Sequence, residues 1–97
     1  MKQPQYLEEA FAKICEEMLT TFIRKHRDYG KGNILDTGEL GIIFRVNDKL
    51  NRLRNLLSQS KTPENESLDE SWQDIGVYAV IAILYRRGWF EKLSLKK

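Results

Sequence analysis

A chain of 97 residues has room for one small domain with a modest core, near the size at which self-association adds useful stability. Sixteen Lys and Arg face fourteen Asp and Glu, interspersed, for a net charge of +2. That balance excludes a nucleic-acid binder relying on bulk electrostatics, and the single cysteine, Cys15, excludes an internal disulfide.

Cys15 sits in a helical apolar stripe, so it reads as a buried small hydrophobe in a reducing compartment. The N-terminal residues lead straight into a charged amphipathic segment with no secretory signal. The longest apolar run, Ile75 to Tyr85, is too short to cross a bilayer. The expectation is a soluble cytoplasmic protein with no membrane partner and no direct nucleic-acid binding.

Leu7, Phe11, Ile14, Met18 and Phe22 recur at alternating steps of three and four, with charges between them. This predicts an amphipathic helix from Tyr6 to about Arg27, ending near Asp28-Tyr29-Gly30 because glycine accepts a positive φ cheaply. A loop is expected over about residues 28–37. Asp36 with Glu39 resembles a capping box, and Ile43, Val46, Leu50, Leu53 and Leu57 form the stripe of a second helix running to about Ser58. At about 100° per residue, Arg45, Asp48 and Arg52 fall opposite that stripe, with Lys49 at its margin.

Residues 58–67 hold almost nothing apolar and include Pro63, so a second loop is expected there. Ser67 with Glu70 forms another capping box, opening a third helix near Leu68. From Ile75 to Tyr85 this helix is apolar nearly all round, as befits a central helix or an oligomer seam. Arg86-Arg87-Gly88 is a stop signal, after which Trp89, Phe90 and Leu93 are expected to fold back, ahead of a basic tail over 94–97. No strand signal or repeat is visible. The reading is a single all-α domain over residues 1–97: three main helices and a short C-terminal one, completed by dimerisation or tetramerisation into a four-helix arrangement.

Several residues carry candidate chemistry. Glu70, Asp74 and Tyr78 form one column along the third helix, where two carboxylates one turn apart suit a hard divalent cation. Glu70 is equally explained as the cap partner of Ser67. Asp74 lies past the first turn, where an ionised group needs a partner: a metal, or Arg45 or Arg52 in a structural ion pair. Arg45, Lys49 and Arg52 suit phosphates, with Asp48 between them to join the third-helix carboxylates, though each is also an ordinary residue of a solvated face. The basic, glycine-broken segment holding Lys25, Tyr29, Lys31 and Asn33 suits a nucleotide or merely a helix C-terminus, and Tyr29, Phe44 and Tyr78 would surround a base. His26 has no second histidine or cysteine nearby, which argues against zinc.

Together, Asp28-Tyr29-Gly30, Gly38-Glu39-Leu40-Gly41, Arg45 with Asp48-Lys49-Leu50-Asn51-Arg52-Leu53, and Glu70-Ser71-Trp72-Gln73-Asp74-Ile75-Gly76-Val77-Tyr78 resemble a known family. It is the small phage and bacterial nucleotide modification associated domain 1 family, itself similar to the all-α nucleoside triphosphate pyrophosphohydrolases of the MazG and dimeric dUTPase group. The likeness covers roughly residues 25–88. It implies an oligomeric helical bundle, in the bacterial host cytoplasm if phage-encoded, that binds a nucleoside triphosphate with Mg²⁺ and releases pyrophosphate by water attack. The paired acidic motifs of such enzymes fall here on Asp48 with Asn51 and on Glu70 with Asp74. Asp48, Glu70 and Asp74 are therefore the implied metal and catalytic set, with an amide at the fourth place. Two alternatives stand beside hydrolysis: a non-catalytic protein that binds or sequesters a nucleotide on the same scaffold, and a helical protein-interaction module.

Overall fold

The computed structural model describes residues 3–59 and 67–97, and among these every regular element is helical. Helix α1 spans Leu7–Tyr29, α2 Gly32–Gln59, α3 Leu68–Arg86 and α4 Trp89–Lys92. The fold is a small all-α bundle, as the periodicity predicts. The expected 58–67 loop lies mostly outside the described residues.

Helix α3 is the hub, packing against α1, α2 and α4. Ser67 caps it: the Ser67 hydroxyl accepts from the Glu70 backbone N–H at 3.0 Å and lies 3.3 Å from the Glu70 carboxylate. Its Val77 and Ile81 meet Ile34 and Ile42 of α2 and Phe90 of α4 in one apolar cluster. Met18 and Phe22 of α1, Val46 of α2, and Tyr78, Ala82 and Tyr85 of α3 flank it. The C-terminal aromatics thus do fold back, but only through Phe90. Leu93 is exposed, and Trp89 sits under the Arg87 guanidinium, 4.9 Å from its ring centroid.

The expected first loop is almost entirely helix. Only Gly30 and Lys31 separate α1 from α2, and Gly30 makes the turn at φ 69°, ψ −154°. The chain coils again over 32–37 and then breaks at Gly38, whose φ 65°, ψ −158° belongs to a region essentially reserved for glycine. Asp36 therefore does not open the long helix. The break falls two residues later, and the Glu39 carboxylate pairs with Arg86 Nε at 2.9 Å instead. Ile42, not Ile43, heads the buried stripe that continues through Val46 and Leu53, while Ile43 and Leu57 stand exposed.

Helix α1 buries no side chain. Its stripe is used from Met18 onward, and Met18 packs so closely on α3 that a Cβ on Gly76 would lie 2.6 Å from its sulfur. Toward the N-terminus the same stripe is bare: Leu7 is 84% exposed, Phe11 70% and Ile14 43%. Cys15, expected to be buried, is exposed with them. The radius of gyration, 15.1 Å, exceeds the roughly 13 Å of a compact chain this long, consistent with a helix that outreaches its bundle. No helix among the described residues is long and apolar enough to cross a membrane.

Candidate functional site

The last two turns of α1, the kinked start of α2 and the middle of α3 enclose a cleft of about 260 Å³. Each wall follows from a local feature. The turn at Gly30 brings Tyr29 of α1 and Asn33 of α2 to the rim. The break at Gly38 folds the first turns of α2 back, so the Arg45 Nη2 donates to the Asn33 backbone carbonyl at 3.2 Å. In an unbroken helix those residues would be about 18 Å apart along the axis. Asp74, Val77, Tyr78 and Ile81 present one face of α3, one turn after another.

The floor is aromatic. His26 lies between Phe22, with ring centroids 5.3 Å apart, and Phe90, edge-on at 5.7 Å. Burial lowers the His26 pKa below its ordinary value, and the nearby Lys31 ammonium lowers it further. His26 is therefore neutral at pH 7, leaving the cationic character of the cleft to Lys25 and Arg45.

Arg45 is the polar residue that the surroundings leave incomplete. Its Nη1 is buried from solvent and has no hydrogen-bond partner. A guanidinium N–H in that state costs about 1–3 kcal/mol, more for a charged group, unless something accepts from it. Arg45, which sequence offers either as a phosphate contact or as part of a solvated face, is half-buried and lines the cleft.

Asp74 does have partners, but not the expected ones. Lys49 Nζ lies 2.8 Å from its Oδ2 and Lys25 Nζ 3.2 Å from its Oδ1. Neither arginine fills that role: Arg45 turns to Asn33, and Arg52 Nη1 donates to the hydroxyl of fully buried Ser71 at 3.1 Å. Arg52 thus braces the α2–α3 crossing. Lys31 Nζ donates to the Glu91 and Leu93 carbonyls at 2.9 and 2.6 Å, tying down the end of α4.

Of the residues proposed from sequence, the cleft therefore gathers Lys25, Tyr29, Asn33, Arg45, Asp74 and Tyr78. Lys49 reaches it only through Asp74, and Lys31, Arg52 and Phe44 do not line it. Asp48 is exposed, and Glu70 is occupied at the α3 cap. Of Asp48, Glu70 and Asp74, only Asp74 lines the cleft. Among the described residues, no three His, Cys, Asp or Glu side chains form a group able to hold a metal ion. Each Asp74 oxygen already faces an ammonium, so this donor set does not fit a resident divalent cation. The residues missed from sequence are His26, Phe22 and Phe90. Their aromatic character was visible, but aromatic residues at helical spacing are equally a core signature. In comparisons with protein families, curated proteins and solved structures, the chain matches none.

Proposed function

We propose that the protein binds one small phosphorylated ligand of nucleotide type in the cleft, without hydrolysing it. The observation that carries this reading is the buried, unpartnered Nη1 of Arg45, a residue that lines the cleft together with Lys25. An anion with several acceptor oxygens satisfies both cations, and a planar guanidinium suits phosphate geometry. Tyr29 at the rim and the His26-centred aromatic floor offer faces for a base. At about 260 Å³ the cleft lies at the low end of the ~300–1,000 Å³ usual for small-molecule sites, which favours a ligand no larger than a single nucleotide. The resemblance to nucleotide-handling helical proteins points the same way. Hydrolysis lacks comparable support, because it calls for a carboxylate metal set and the candidate acids lie apart.

The test is calorimetry with nucleoside mono-, di- and triphosphates and their parent nucleosides, with and without Mg²⁺, alongside an assay for released pyrophosphate. Phosphorylated ligands should bind, nucleosides should bind far more weakly, and no pyrophosphate should appear. Arg45→Met should lose roughly 10- to 100-fold in affinity, as expected for a charged hydrogen bond. Its ligand-free melting temperature should change little, since the orphaned Nη1 donor and the Nη2–Asn33 hydrogen bond are removed together. Pyrophosphate release by the wild type would restore the hydrolase reading. Absence of binding to every phosphorylated compound would remove the nucleotide reading.

A further inference from the structure

We infer that Asp74 is a positioning residue, an internal stand-in for the ligand's phosphate that holds Lys25 at the cleft until an anion replaces it. This rests on the cleft being the phosphate site. It departs from a metal-ligand role for Asp74, which the donor set does not fit.

The two lysines on Asp74 are unequal. The Lys49 side chain is 25% exposed and bonds at 2.8 Å; it does not line the cleft. The Lys25 side chain is 49% exposed, bonds at 3.2 Å and does line it. Lys49 is thus the fixed counter-ion, which holds the 12%-exposed carboxylate in place. Lys25 is the exchangeable one, on a long flexible stem whose head can turn from Oδ1 to an incoming anion without unfolding anything. Arg45 also lines the cleft, and its buried Nη1 has no partner to leave when the side chain turns to an anion. Lys25 adds a second contact only for a ligand that outcompetes a carboxylate. A phosphate dianion does so, and a neutral nucleoside does not. Asp74 thereby sets a charge threshold for occupancy, at the expense of some affinity.

The experiment is calorimetric titration of the full chain with inorganic phosphate and a nucleoside monophosphate. It compares wild type, Asp74→Asn, Lys25→Gln and the double variant, each in Mg²⁺ and in EDTA. Asp74→Asn, nearly isosteric, should tighten anion binding roughly two- to five-fold, the size expected for releasing a half-exposed ion pair. Lys25→Gln should weaken it, and in that background Asp74→Asn should have no effect, since the competition it removes is already gone. Circular dichroism confirms that each variant folds, and Asp74→Glu, which keeps the carboxylate, should stay near wild type. Equal or weaker binding by folded Asp74→Asn overturns the inference while leaving the cleft intact. Loss of a Mg²⁺-dependent component in that variant overturns it in favour of a metal ligand. If the wild type binds neither anion, the cleft assignment itself fails, and this inference with it.

Discussion

Helices α1 and α3 are of similar length, 23 and 19 residues, and use their apolar side chains in opposite ways. Helix α3 is apolar on most sides, touches every other helix and buries Ser71, Val77 and Ile81. Helix α1 has the cleaner amphipathic pattern and buries nothing. A sharp stripe records which face would be covered, not whether the chain itself covers it. Burial is decided by position in the bundle. From Met18 to His26, α1 lies against α3 and the aromatic floor, whereas from Leu7 to Ile14 the same stripe runs on into solvent.

The most direct way to break this contrast is a pair of truncations. Ile81→Ala, in the centre of the core, should cost about 2–5 kcal/mol by urea unfolding, and Phe11→Ala in the dilute protein less than about 0.5 kcal/mol. A Phe11→Ala cost that grows with protein concentration would mean that a second copy covers the bare stripe. Next in size is Gly38→Ala. It strains a glycine-only conformation and sets a Cβ 3.1 Å from the Tyr85 hydroxyl of α3, so about 1–3 kcal/mol should be lost. The smallest effect sharpens the picture of the docked half of α1. The His26 pKa is lowered in the native state, so the unfolded chain takes up that proton first on acidification. Its contribution is intact above the ordinary value of 6.5, declines as pH falls below it, and levels off beneath the lowered native value. The urea midpoint of the wild type should therefore drop further between pH 7.5 and 5 than that of His26→Gln.

The helices were legible where one local signal sufficed: the α1 stripe, the Ser67–Glu70 cap, the Arg86-Arg87-Gly88 stop. Legibility failed where a single residue changes the meaning of its neighbours. Gly30 and Gly32 together look like a loop over about 28–37, yet only Gly30 leaves helical geometry there, and the next break waits until Gly38. The stripe read from sequence is right at Val46 and Leu53 but not at its ends, where Ile42 is buried and Ile43 and Leu57 are exposed, and the break at Gly38 brings Asn33 back to Arg45, so that both line the cleft. The site was half visible for a related reason. Residue type picks out the cations and Asp74 as candidates, but the partner Lys25 stands 49 residues upstream of Asp74, and no local spacing encodes that pairing. Arg52 and Lys31 look equally suited to phosphate in sequence. Only their surroundings show that one braces Ser71 and the other holds the chain end.

The bend at Gly38 has a thermodynamic corollary. Arg45 reaches across it to Asn33, so the guanidinium is at once a strut of the bent backbone and the unsatisfied donor of the cleft. Whatever accepts from Nη1 also immobilises that strut, and coupling of this kind is reciprocal. Occupancy of the cleft should make the α2 break more rigid, and variants that loosen the break should report the loss as weaker occupancy. One dihedral pair, at a residue outside the cleft lining, should thus tune how firmly the cleft holds an occupant.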